Sequence, residues 1–218
     1  MDSRTASIKI NLRLEKLDSS DYTNITRHQK EEAVNKAVLD LVRFDVKTKD
    51  ELNRFSIDDL QILLKEQNLS IVNKDLFVET VKFPSDYLFF KLLTPKCSKG
   101  DCSNVYIKST LIEAANVDEW LQDYSSQPSF DFEETFHTLV GNKYRVYHNK
   151  DFQINEVKLL YYRKPVKISF SEADNTTIWE WKDDLAELII DRAVQILASD
   201  TENQSVYQTA SQRAETLK

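Results

Sequence analysis

The chain has 218 residues, two of which are glycine, and its formal net charge is −7. Loops that cradle phosphates or dinucleotides need glycine for close backbone approach, and general nucleic-acid binders need a basic face, so the composition argues against both classes. Two cysteines cannot by themselves make a structural zinc site, which needs four Cys or His ligands. The composition favours a structural or binding protein over a nucleotide-using enzyme.

The N-terminal quarter is predicted to contain an arm followed by helices. Residues 1–25 form the predicted arm, and the alternation of apolar residues over 7–14 is typical of an extended segment or edge strand. Thr26 followed by Gln29 is a capping box, which predicts a helix over about residues 27–45. A second helix is expected from Ser56, with a buried stripe made of Ile57, Leu60, Leu63 and Leu64.

Strands are predicted in the middle of the chain. Residues 69–83 are rich in β-branched and apolar side chains, and another apolar segment covers 87–94. Cys97 and Cys102 flank a predicted hairpin tip, and residues 104–114 are the expected return strand. The two cysteines are interpreted as surface thiols in a reducing compartment, or alternatively as a labile disulfide across the tip.

The C-terminal half is predicted to begin with a short helix over 117–124 that turns Trp120 and Leu121 inward. Two tight hairpins should follow, built from strands 132–140, 143–147 and 152–163 with turns at 141–142 and 148–151. A cap pattern over 177–180 then predicts a long amphipathic helix, whose apolar stripe comprises Trp181, Leu185, Leu188, Ile189, Ala193, Ile196 and Leu197.

Together these elements predict an α+β fold with N-terminal helices, central antiparallel strands and hairpins, and a long C-terminal amphipathic helix. The expected organisation is a single domain over 26–199, preceded by the arm and followed by a polar tail over 200–218. The tail contains an apolar pair, Val206 and Tyr207, that could dock on a partner.

The histidines give no sign of a catalytic or metal site. His28, His137 and His148 have no ligand-like spacing, and His28 and His148 are expected at the surface, in a first helical turn and a hairpin turn. No serine lies in a nucleophile elbow such as Gly-x-Ser-x-Gly. We therefore expect no bound cofactor and no metal.

One pattern resembles the chemistry of an enzyme. Glu156 and Lys158 are two residues apart on a predicted strand and so share a face, with Asp151 upstream; such a set can hold Mg²⁺ and position water in a nuclease. Alternating charges on the solvent face of an antiparallel sheet produce the same pattern. The solvated face is the preferred interpretation, and a metal-dependent nuclease is the alternative.

The end of the third strand carries aromatic and basic residues together. Tyr161, Tyr162, Arg163 and Lys164 could stack on nucleic-acid bases. Given the acidic net charge, the preferred interpretation is a strand end with one tyrosine inward, one outward and cations that extend to solvent.

Residues 152–168 resemble the head–tail connector adaptors of short-tailed phages. In that family a strand ends in an aromatic-x-basic-Pro sequence, matched here by residues 161–165, and an acidic loop leads into a helix rich in Ala, Leu and Ile, matched by residues 183–190. The N-terminal helix and internal sheet fit the same layout. The resemblance is closest to the ring proteins below the portal in crAss-like phages, although the hairpin at Cys97 and Cys102 is not part of the family pattern.

The resemblance implies a non-enzymatic virion protein of the phage neck or tail, made in the host cytoplasm. About twelve copies would form a homo-oligomeric ring stacked on the portal or on another ring, with DNA passing through without specific binding and with no membrane association. A non-catalytic protein-interaction module is a further alternative. Expected subunit or partner contacts are Ile8, Ile10, Leu12, Cys97, Cys102, Tyr161, Tyr162, Arg163, Lys164, Val206 and Tyr207.

Overall fold

The computed structural model describes residues 1–15, 25–47, 60–170 and 178–200. The chain divides by its contacts into two compact units, a helical unit (Met1–Ile62 with Pro165–Lys218) and a β unit (Leu63–Lys164) that is inserted between the two parts of the first. The predicted α+β class is confirmed. The predicted single domain over 26–199 stays a prediction, since compactness of each unit is not a test of independent folding.

The described helices are α1 (Ser3–Glu15), α2 (Arg27–Lys47), α3 (Val117–Gln122) and α4 (Asp183–Asp200). The strands are β1 (Leu64–Leu69), β2 (Ile71–Asn73), β3 (Phe77–Thr80), β4 (Tyr87–Lys99), β5 (Cys102–Tyr106), β6 (Lys108–Ile112), β7 (Glu134–Val140), β8 (Lys143–Tyr147) and β9 (Gln153–Arg163).

The start of α2 confirms the predicted capping box. The backbone N–H of Gln29 donates to Thr26 Oγ1 at 3.3 Å, and the backbone N–H of Thr26 donates to Gln29 Oε1 at 2.8 Å. These reciprocal bonds satisfy donors that the first helical turn leaves free. The predicted start near residue 27 is therefore correct. The predicted helix from Ser56 lies mostly outside the described residues, but Leu64, assigned to its stripe, begins strand β1 instead.

The prediction of an extended arm over 7–14 is wrong, because this segment belongs to α1. Ile10 and Leu14 lie four apart and are buried, whereas Ile8 and Leu12 lie four apart and are about half exposed. An apolar alternation of period two is also produced by a helix that carries one apolar stripe inward and a second one outward. The carboxylate of Asp2 begins the helix by accepting a hydrogen bond from the Thr5 N–H at 2.6 Å.

Ion pairs join α1 to α4 within the helical unit. Lys9 and Arg13, one turn apart on α1, both bind the carboxylate of Glu187, and Arg13 also lies 3.1 Å from Asp191 Oδ1. Burial alone would raise the pKa of Glu187, but the hydrogen bonds from Lys9 and Arg13 outweigh it and hold the pKa below its usual value. Asp191 is buried, and the guanidinium of Arg13 lies beside its carboxylate.

We expect Arg13→Ala to destabilise the protein by about 3 kcal/mol, because it removes the guanidinium that binds Glu187 and lies beside the buried carboxylate of Asp191. The free energy of unfolding, measured by urea denaturation, tests this. Arg4→Ala, on the same helix at an exposed position, is the matched control and should change stability little. Equal stabilities of the two variants would contradict the role given to Arg13.

The last helix begins later than predicted. Trp181, assigned to its apolar stripe, precedes α4, which starts at Asp183 with two carboxylates in the first turn that favour the helix dipole. Trp179 and Trp181 are buried, and Trp179 Nε1 donates to Ser3 Oγ at 3.2 Å. These two tryptophans thus belong to an irregular segment that packs within the helical unit. The remainder of the predicted stripe is confirmed, with Leu188 half-buried and the others buried.

The β unit contains two sheets that are joined on both sides by continuous strand segments. The four-stranded sheet has the order β1-β9-β4-β5, and the five-stranded sheet has the order β2-β3-β8-β7-β6. Only Ser70 separates β1 from β2, and only Ile107 separates β5 from β6. Two continuous segments therefore pass from one sheet to the other at opposite corners, as strands do in orthogonal β packings.

The core of the β unit lies between the inner faces of the two sheets. Side chains from both sheets meet there in one cluster; its members are Leu69, Val78, Leu93, Cys97, Ile107, Tyr144, Val146, Phe152, Ile154, Val157, Leu159 and Tyr161. The outer face of the five-stranded sheet is covered by α3, where Trp120 and Leu121 pack against a cluster containing Phe136 and Tyr147. The predicted helix and its inward residues are confirmed.

One of the two predicted tight hairpins is present and the other is not. β7 and β8 pair around Gly141, whose φ of +62° suits glycine. β8 and β9 do not pair: the turn at 148–151 carries the chain from one sheet to the other, and β9 lies between β1 and β4. The return strand over 104–114 is likewise divided at Ile107, and its second part, β6, runs parallel to β7.

Candidate subunit interface

The structure separates the predicted contacts on α1 into two groups. Ile8 and Leu12 are 50% and 51% exposed, whereas Ile10 is fully buried in the helical unit. Ile8 and Leu12 form an outward stripe on a helix whose opposite side is already packed. They are available to a partner, and Ile10 is not. Val206 and Tyr207, also predicted as contacts, lie outside the described residues.

The two cysteines are free thiols in different environments. Cys97 is buried in the β core, where burial raises the pKa of its thiol to about 12, and Cys102 is exposed. Strand register places Val105 opposite Cys97 and Lys99 opposite Cys102, so the thiols are not cross-strand partners. The labile disulfide is absent, and the interpretation as surface thiols holds for Cys102 alone.

Tyr161 is part of the β core rather than of a stacking platform. Both Tyr161 and Tyr162 are buried, so the expectation of one inward and one outward ring is wrong. Tyr161 Oη donates to Asp86 Oδ1 at 2.8 Å, and Lys65 Nζ donates to Asp86 Oδ2 at 2.7 Å. The backbone N–H of Lys164 donates to the carbonyl oxygen of Asp86.

Asp86 therefore ties β1 and the end of β9 to the turn before β4. The hydrogen bond from Lys65, together with that from Tyr161, holds the pKa of Asp86 below its usual range. The aromatic-x-basic-Pro sequence has a structural role here that sequence reasoning missed, because Asp86 lies 75 residues from Tyr161. Arg163 is half-exposed and Lys164 is exposed.

We expect Tyr161→Phe to destabilise the protein by about 1.5 kcal/mol, because a hydrogen bond to a charged carboxylate is lost without any change in the size of the ring. Thermal and urea unfolding measure the effect. Tyr124→Phe removes the same hydroxyl from a side chain that is 80% exposed, and it should leave stability unchanged. A neutral Tyr161→Phe would show that the Asp86 contact contributes nothing.

The residues of the nuclease alternative are engaged separately in ion pairs. Asp151 accepts from Lys99 Nζ at 2.7 Å and from a backbone N–H at 2.9 Å, and Lys158 Nζ lies 2.9 Å from Glu66. Glu156 lies 4.0 Å from Lys96 and shares the outer sheet face with Lys158, as the sequence predicted. Over the ranges that the structure describes, no group of three or more His, Cys, Asp or Glu could hold a metal ion.

His137 is the histidine with an unusual environment. Its Nδ1 lies 2.7 Å from Ser109 Oγ, and the rings of Phe90 and Tyr144 lie within 5.5 Å of its own. Burial lowers its pKa to about 4. His28 is exposed, as expected, and His148 is half-buried, with burial lowering its pKa as well.

We expect acid to destabilise the β unit through His137. The unfolded chain takes up a proton near pH 6.5 and the folded chain only near pH 4, so stability is full above pH 6.5 and falls between these values. The loss should be about 2 kcal/mol between pH 7 and pH 5. Urea unfolding at both pH values tests this, and His137→Leu should lose stability less steeply. Parallel pH dependences would contradict the assignment.

A surface that the sequence interpretation missed lies beside β6 and α3. No Lys or Arg occurs between Lys108 and Lys143, whereas seven carboxylates do. The same stretch carries two of the most exposed aromatic side chains of the described residues, Tyr124 at 80% and Phe132 at 72%. The run without cations was visible in the sequence, but the exposure of both rings was not.

Comparison with models of known protein families finds no match, and comparison with curated protein sequences also finds none. None of the helices in the described ranges is long and apolar enough to cross a membrane.

Proposed function

We propose that this protein is a non-enzymatic subunit of an oligomeric ring in the head–tail connector of a short-tailed phage. In this role it joins the portal to the tail and forms part of the channel through which DNA passes. The resemblance of residues 152–190 to connector adaptors supports the proposal. The helical unit and the inserted β unit are consistent with the layout expected for that family.

The observation that carries the proposal is the exposure of apolar side chains at separate places on both units. Ile8 and Leu12 form an outward stripe on α1, and Tyr124 and Phe132 protrude from the β unit. Ile8 and Leu12 lie one helical turn apart and so form a contiguous exposed apolar stripe, which is the kind of surface that favours a protein contact. A subunit of a stacked ring needs several such surfaces, because its neighbours around the ring and along the stack contact different parts of it.

The nuclease alternative receives no comparable support. The two carboxylates it requires are held by different lysines, Lys99 and Lys96, on the β4 strand. A lysine beside each carboxylate competes with a metal ion for the same oxygens. Mg²⁺-dependent DNA cleavage that is lost in Glu156→Ala would reverse this preference.

Electron microscopy of the purified chain, alone and mixed with the portal of the same genome, tests the proposal. We expect a closed ring, either free or formed on the portal, and the image gives the number of copies directly. A chain that stays monomeric and does not bind the portal would overturn the connector role.

The outward stripe of α1 allows a sharper test. Ile8→Glu combined with Leu12→Glu should prevent ring or portal assembly while leaving the fold intact, because both side chains already contact solvent. Val166→Glu, at a 62% exposed position of the same unit, is the matched control and should assemble normally. Analytical ultracentrifugation reports assembly, and circular dichroism reports folding.

A further inference from the structure

We propose that neighbouring copies join through opposite edges of the five-stranded sheet, the acidic edge of one copy against the basic edge of the next. The acidic edge comprises β6 with the carboxylates of residues 113–134, which connect β6 to β7; the basic edge comprises β2 and β3 with the lysines that flank them, Lys74 and Lys82. This inference rests on the proposed ring and names the surfaces that would form its lateral contacts.

The acidic edge has a large excess of negative charge. Its seven carboxylates are all exposed; they belong to Glu113, Asp118, Glu119, Asp123, Asp131, Glu133 and Glu134. Within the described ranges, Asp131 has an ion pair, with Lys99 at 3.4 Å, and the carboxylate of Asp123 accepts hydrogen bonds from neighbouring serines. A surface of this kind attracts cations and repels an identical surface.

The other edge of the same sheet has the opposite sign. Residues 71–82 and 143–150 contain five cationic side chains against two carboxylates; the cations are Lys74, Lys82, Lys143, Arg145 and Lys150. Lys143 and Arg145 lie on the central strand β8 and pair with Glu79, and Lys150 pairs with Asp75. Lys74 and Lys82 flank β2 and β3, which lie at the opposite end of the sheet from β6. Charge complementarity therefore favours contact of unlike edges.

The backbone of both edges suits such a contact. β2 and β6 are the terminal strands of the sheet, so each has one side of its backbone without a strand partner in that sheet. Each also exposes an apolar side chain, Val72 at 48% on β2 and Leu111 at 47% on β6. Edge strands of this kind accept a further strand through main-chain hydrogen bonds.

The exposed rings at the acidic edge fit the same partner. Tyr124 follows Asp123 in the sequence, and Phe132 lies between Asp131 and Glu133. A lysine from the basic edge can lie over either exposed ring while it pairs with these acids. A contact between two different edges is heterologous, and repeated around an axis it closes into a ring when the rotation permits. Association should weaken with added salt, because the charges are exposed.

Cysteine cross-linking tests the contact directly. The chain with Cys102→Ser, Val72→Cys and Leu111→Cys should give a ladder of disulfide-linked oligomers on non-reducing gels after mild oxidation. A control chain with Leu92→Cys in place of Leu111→Cys has its second thiol on an exposed position of the four-stranded sheet, and it should remain largely monomeric. A ladder of equal strength in both chains would overturn the proposal.

Charge reversal gives an independent test. Glu113→Lys with Glu119→Lys, or Lys74→Glu with Lys82→Glu, should each weaken association by about a hundredfold or more, because like charges then face each other. All four substitutions in one chain should restore it. Glu32→Lys with Asp184→Lys, the same charge change at exposed positions of the helical unit, is the control. Circular dichroism confirms that each variant is folded.

The outcomes separate this inference from the proposed function. Rings that form normally in either charge-reversed chain, alone or on the portal, would overturn the edge contact and leave the connector role intact. Cross-linked oligomers that never close and never bind the portal would support the edge contact and contradict the connector role. Monomers without cross-links in every condition would overturn both.

Discussion

The helical unit depends on the ion pairs between α1 and α4. Lys9 and Glu187 are 178 residues apart in sequence, and the entire β unit lies between them in the chain. Local sequence cannot hold two such distant segments together, so packing and these charges must offset the entropy of closing a very long loop. Because Asp191 is buried beside Arg13, the contact also restricts which face of α1 can pack inward. The orientation that leaves Ile8 and Leu12 outside follows from that restriction.

The β unit is held in a different way, by continuity of its strands. The segments around Ser70 and Ile107 each contribute a strand to both sheets, so the two sheets are joined on both sides without a separate linking element. The hydrogen bond from the Ile107 N–H to the Pro95 carbonyl, at 3.0 Å, holds one of these corners to β4. The short terminal strands that result each have one side of the backbone without a strand partner in that sheet, and the residues that flank them carry charges of opposite sign.

Local signals in the sequence predicted local structure well. The capping box at Thr26, the turn at Gly141 and the short helix before residue 124 are each specified by a few neighbouring residues, and the structure confirms them. The failures are non-local. Which strands pair with β9 depends on how the whole core packs. The alternation of apolar and polar residues within β9 does not specify it. The two apolar stripes of α1 together produce an apolar residue at every second position, and this is also the pattern of a β-strand.

The candidate contacts show the same division. Ile8 and Leu12 were predicted for an incorrect reason, as part of an extended arm, yet their exposure on a helix still makes them available. Tyr161 and Cys97 were expected as partner contacts and are buried, because a single strand pattern does not tell which apolar face a second sheet will cover. The acidic stretch before Lys143 can be found in the sequence by counting charges. Its position near the β6 edge of the sheet is known only from the strand order in the structure.

The pairing of Leu64 with Tyr162 places the entry and exit of the β unit on adjacent strands. Cα atoms of directly opposed residues in an antiparallel pair are about 5 Å apart, close to the span of a short turn. The two ends of the β unit are therefore close together, and a tight loop could span the same distance between the flanking residues. Closely spaced ends are the arrangement that lets a segment lie within another with little strain on the flanking residues.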